Sequence, residues 1–109
     1  MIPVQSPEAF EAWRHRPGYS WLFKHSRICP DSAAAYEEVA AYEKTHPRDP
    51  VGILVVQDAR EASLLAEKAL GVKHETPQVL LLKDGKVLWQ ASHDGVRQGA
   101  MEMQRLPSL

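Results

Sequence analysis

The apolar positions of this chain change period several times, and each change marks an element. Phe10 and Trp13 share one helical face behind Ser6, Pro7 and Glu8, which supply a hydroxyl cap, a first-turn proline and an acid suited to the positive helix end. Pro17-Gly18 ends that helix. SWLFK, residues 20 to 24, is a short apolar run that predicts a buried strand. Ala35, Val39 and Tyr42 then recur at helical spacing from about Pro30 to Lys44, where Thr45-His46-Pro47 stops the pattern. VGILVV, residues 51 to 56, is apolar without alternation, as a strand covered on both faces reads.

Asp58 and Glu61 are spaced like a capping box for a helix from 58 to 70, with Ala62, Leu65, Ala66 and Ala69 as its buried stripe and Gly71 as its stop. QVLLLK (78 to 83), Asp84-Gly85 and KVLWQAS (86 to 92) predict an antiparallel hairpin with Val87, Trp89 and Ala91 pointing inward. Asp94 is placed to cap a final helix whose Val96, Ala100 and Met103 share a face. Alternating helices and strands followed by a hairpin predict an α/β fold, with parallel strands and an antiparallel edge pair in one sheet.

Composition narrows the function classes. The 109 residues, 44% hydrophobic and 25% charged, suit one domain spanning 1–109. Thirteen Lys and Arg against fourteen Asp and Glu give a formal charge of -1, so no basic field exists to hold a phosphate backbone and no nucleic acid partner is expected. MIPVQSPEAFEAW lacks a charged segment followed by an apolar one, and no apolar run approaches bilayer length. The expectation is a soluble cytoplasmic protein with no membrane partner. One cysteine cannot form an internal disulfide, so any sulfur chemistry is intermolecular.

That cysteine lies in KHSRICPDS, residues 24 to 32. Pro30 suits the first helical position, which assigns Cys29 to the cap, where the amides of Asp31 and Ser32 and the helix dipole favour a thiolate. Lys24, His25 and Arg27 add positive charge nearby, and Asp31 opposes them. His25, His74 and His93 all fall near predicted strand ends. No pair of them has compact zinc-ligand spacing, and no metal is expected.

Strand, Cys-x-x-Ser at a helix start, Thr76-Pro77 before a strand and a closing hairpin together resemble the thioredoxin fold. More narrowly, KHSRICPDS, GVKHETPQ and KDGKVLWQASH resemble the monothiol bacilliredoxins, collinearly from about Trp21 to His93. Ile28 and Asp31 depart from the usual TCPIS segment of that family. The resemblance implies a bacterial thiol–disulfide oxidoreductase that removes bacillithiol from S-bacillithiolated proteins, with bacillithiol as its low-molecular-weight thiol co-substrate. It makes Cys29 the redox thiol, Ser32 the replacement for a resolving cysteine, and Pro77 a cis-proline facing the sulfur. Lys24, His25, Arg27, His74, Thr76 and His93 are the expected substrate-binding residues; Lys24, Arg27 and Lys73 are candidate partners for the malate carboxylates of bacillithiol. A monomer or weak dimer is expected.

Two other classes compete. Monothiol glutaredoxins carry iron–sulfur clusters, but their Cys-Gly-Phe-Ser is absent here. A redox-inert interaction module would keep the fold alone.

Overall fold

The computed structural model describes residues 1–108, with side chains through Arg105. Five strands form one mixed sheet in the order β1-β3-β2-β4-β5: β1 (Ile2–Pro3), β2 (Tyr19–His25), β3 (Val51–Val55), β4 (Gln78–Lys83) and β5 (Lys86–Ser92). β1, β3 and β2 run parallel, and β4 and β5 run antiparallel to their neighbours. The helices are α1 (Pro7–Arg14), α2 (Pro30–Thr45), α3 (Arg60–Leu70) and α4 (Gln98–Ser108). The two-residue β1 is too short to show a period, and the sequence did not announce it.

Two apolar layers cover the sheet. Leu22, Leu54, Leu80 and Leu82 meet Phe10 and Trp13 of α1 and Ala62 and Ala66 of α3. Trp21, Phe23, Val79 and Leu81 meet Ala35, Val39 and Tyr42 of α2 and Met101 of α4. Burial on both sides explains why VGILVV and QVLLLK show no alternation.

Several local expectations hold atom by atom. Ser6 Oγ accepts from the Ala9 amide at 3.0 Å, Gly71 closes α3 in the left-handed region at φ 67°, and Asp84-Gly85 makes a turn with both φ positive. Gly52 is fixed by packing, since a Cβ there would sit 2.8 Å from Trp13 Cε2. Gly52→Ala should therefore destabilise the fold by about 1–3 kcal/mol, through overpacking under Trp13. Its urea midpoint should fall with an unchanged slope.

Other expectations are corrected. α3 begins at Arg60 with Ala59 at the cap and no side-chain capping bond, because the Asp58 carboxylate is held by Arg27. On α3 the buried stripe is Ala62, Ser63 and Ala66, while Ala69 is exposed. Asp94 caps no helix: it lies in a 3-10 turn over His93–Gly95, and α4 starts four residues after Asp94, with the Gln98 amide donating to Glu38 Oε1 at 2.9 Å. That shift of register buries Met101 and leaves Met103 71% exposed. In β5 a bulge opposite Leu81/Leu82 sends Val87 to the α1/α3 layer and Trp89 and Ala91 to the other. One extra residue reverses the pleat, so these three do not share a face.

Candidate active site

β2 and β4 end side by side, because Lys24 is the register partner of Gln78. From β2 the chain passes through Ser26, Arg27 and Ile28 to Cys29; into β4 it arrives through His74, Glu75, Thr76 and Pro77. The Thr76-Pro77 peptide is cis. Both segments thus issue from neighbouring strands at one end of the sheet.

Cys29 occupies the cap of α2 with extended backbone, φ -98° and ψ 120°, and its side chain is partly exposed. The amides of Ser32 and Ala33 donate to its carbonyl oxygen at 3.0 and 3.2 Å, and the sulfur makes no capping hydrogen bond. This corrects the expected pairing of the sulfur with the amides of Asp31 and Ser32: the Ser32 amide goes to the carbonyl, a stronger acceptor than a thiol, and the sulfur caps neither. Ser32 is fully buried, and its Oγ accepts from the Ser26 amide at 3.2 Å. It therefore braces the approach to Cys29. Gln57 adds a second brace, donating from Nε2 to Ser26 Oγ at 2.8 Å and accepting from the Arg27 amide at 3.1 Å. Ile28, beside the cysteine, is 84% exposed.

The basic residues expected at the sulfur have other partners. Arg27 forms a two-pronged pair with Asp58 at 2.5 and 2.9 Å. Its guanidinium is raised, and the Asp58 carboxyl lowered, first by that hydrogen bond. Lys24, expected as a carboxylate partner, is buried within the sheet, where Nζ donates to Gln78 Oε1 at 3.0 Å. Burial pushes its ammonium down to about 8 against the attraction of Glu67 and Glu75. Lys73 lies at the surface, 3.8 Å from Glu75.

The three histidines are likewise kept apart by different partners. His25 has ring neighbours Phe23 and Tyr36 at 5.5 and 5.3 Å, and its Nδ1 is buried with no partner among the described residues. Burial lowers its pKa, with the Ser32 main chain opposing and Arg27 adding to the shift. His74 packs its Nδ1 3.3 Å from Ser63 Oγ, and burial and then Lys24 lower its pKa against Glu67 and Glu75. His93 Nε2 lies 3.0 Å from Glu75 Oε2, while its amide donates to the Pro77 carbonyl at 2.8 Å. Among the described residues, no group of three His, Cys, Asp or Glu is arranged to hold a metal ion. Nor does any helix have the length and apolarity to cross a membrane.

Sequence reasoning missed Ser26, Gln57, Asp58, Glu67, Glu75 and Gln78 as parts of this region. The one signal available was that Lys24 and Gln78 are polar residues closing otherwise apolar strands. Nothing in the sequence said that they pair.

The arrangement, a half-open thiol at a helix start and a cis-proline segment at the same end of the sheet, is suited to thiol–disulfide exchange. Comparison with known proteins agrees. A solved protein assigned as an oxidoreductase with a thioredoxin fold superposes with a TM-score of 0.88 at 28% identity, covering 95% of this chain and 92% of that one. Fasciola hepatica thioredoxin gives 0.80 at 14% identity over 100% of both chains, and mitochondrial thioredoxin 3 of Saccharomyces cerevisiae gives 0.74 at 12%, covering 95% and 92%. At those identities the two thioredoxins speak to the fold alone, which is thioredoxin-like. The family model for the monothiol bacilliredoxin BrxC matches residues 2–101, which hold all five strands, α1 to α3 and the start of α4. A thioredoxin-fold chain whose single thiol opens α2 thus belongs to the monothiol bacilliredoxin family.

Proposed function

We propose that this protein removes bacillithiol from S-bacillithiolated proteins, acting through Cys29 as one thioredoxin-like domain in the cytoplasm. The observation that carries the reading is the lone, partly exposed Cys29 at the start of α2, with a buried Ser32 where a second cysteine would resolve the product internally. In this reading the Cys29 thiolate attacks the bacillithiol sulfur of the mixed disulfide. The S–S bond to the substrate protein breaks, its cysteine leaves as a thiolate and takes a proton, and a new disulfide joins bacillithiol to Cys29. No electrons are gained or lost in that step. A second low-molecular-weight thiol then attacks the new disulfide and restores Cys29. Thr76, Pro77, His25 and His93, from the same end of the sheet, are the candidates to border the bound disulfide. Lys73, with its exposed ammonium, is the candidate partner for a malate carboxylate.

Reduced protein mixed with a bacillithiolated substrate should gain the mass of one bacillithiol on Cys29, while the substrate recovers its free thiol. Absence of that adduct, with the substrate still modified, would refute the proposal. Equal rates with a glutathionylated substrate would remove the preference for bacillithiol and leave a general monothiol exchange enzyme.

A further inference from the structure

Lys24 is a buried ammonium that the exchange chemistry does not use. Among the described residues no carboxylate lies within ion-pair distance of it, and its one hydrogen bond goes to Gln78. A buried charge held only by a neutral amide is costly, and a methionine of similar length would fill the space without that cost. Such a departure from core chemistry points to a task.

Lysine can only donate hydrogen bonds when charged. Its bond to Oε1 therefore fixes which way the Gln78 amide faces. Nε2 is turned to the other side, where it donates to the Lys73 carbonyl at 3.2 Å and to Gln90 Oε1 at 3.3 Å. The rest of the segment is anchored from its other flanks. The His74 amide donates to Glu67 Oε2 at 2.6 Å, Glu75 meets His93, and the Pro77 carbonyl accepts from the His93 amide. The charged and titratable groups around Lys24 are thus Glu67 from α3 and His74 and Glu75 from the segment itself. Gln78 from β4 and Gln90 from β5 complete the polar surroundings. Without Lys24 the Gln78 amide loses the bond that holds its oxygen, and an amide turned over would set that oxygen against the Lys73 carbonyl and break the closure of the segment.

We propose that Lys24 is a positioning residue which, by orienting the Gln78 side chain, fixes the segment from Lys73 to Gln78 and so places Thr76-Pro77 beside the end of the sheet that carries Cys29. The inference rests on the reading of Cys29 as the reacting thiol. It is tested on the full chain with Lys24→Met, Gln78→Leu and the double variant. Amide hydrogen exchange at His74, Glu75, Thr76 and Gln78 should quicken by about tenfold or more in Lys24→Met, with the amides of α2 and β3 unchanged. Gln78→Leu should give the same pattern, and the double variant should add nothing further, since both act through one amide.

Two activities separate positioning from general damage. Alkylation of Cys29 by iodoacetamide, which needs only the sulfur, should stay within about twofold of the original protein. Transfer from a bacillithiolated protein should fall about tenfold, which is ~1.4 kcal/mol. Unchanged exchange in the segment, exchange raised equally over the whole sheet, or additive effects in the double variant would each overturn the role of Lys24. Should Lys24→Met fail to fold, Gln78→Leu alone decides by the same exchange pattern. If the original protein transfers no bacillithiol, the proposed function fails while the exchange data still judge Lys24.

Discussion

Cys29→Ser should reduce bacillithiol transfer to the uncatalysed background. It is the only sulfur nucleophile in the chain, and a serine hydroxyl near neutral pH is too basic to attack a disulfide without a dedicated base. Among the described residues no histidine hydrogen-bonds the Cys29 side chain: His25 has its ring beside Phe23 and Tyr36, His74 meets Ser63, and His93 meets Glu75. The two Ser32 variants complete the test. Ser32→Ala should leave the transfer step working, because the hydroxyl serves the Ser26 amide and makes no bond to the sulfur. Its cost should appear as stability, about 1–3 kcal/mol, for leaving a buried amide unsatisfied. Ser32→Cys puts a second thiol at the position three residues after Cys29, and should allow release of bacillithiol without an added thiol. Intact mass after a fixed exposure distinguishes all three. Transfer that survives Cys29→Ser would end the proposed mechanism.

Stability should rise with pH between about pH 8 and the usual lysine value of 10.5, because of Lys24. Its folded pKa lies below its unfolded one, so in that window the unfolded chain binds a proton that the folded chain has released. Raising the pH then favours the folded state, and below about pH 8 the full penalty of the buried charge is present. A displacement of this size corresponds to about 3 kcal/mol across the whole window. Tyr42 opposes it at the upper end. Burial, together with its hydrogen bond to Asp49, holds this phenol well above the ordinary value of 10.0, so stability falls once the unfolded tyrosine ionises. The rise is cleanest between about pH 8 and about pH 10. Urea midpoints of the original protein should climb over that range relative to Lys24→Met, which keeps Tyr42 and cancels its contribution. Parallel midpoints would mean that Lys24 titrates as a free amine.

Elements whose signals are local were legible along the chain. Ser6 with Pro7 starts α1, Pro30 starts α2, Gly71 stops α3 and Asp84-Gly85 turns β4 into β5, because each acts within one turn of chain. The apolar runs told which strands are covered on both faces. The motif around Cys29 and the Thr76-Pro77 pair also pointed to the family, since both are contiguous in the chain. Which polar groups meet was settled by the packing of distant segments. Arg27 and Asp58 are 31 positions apart, and Lys24 and Gln78 are 54 apart, so neither pair leaves a mark in any short window. Asp58 read locally as a helix cap and Lys24 as a free cation beside the sulfur. Strand order overrode both, placing Arg27 within reach of the first and sealing the second inside the sheet. The bulge that separates Val87 from Trp89 has the same origin, since it is defined by the partner strand against which β5 is counted.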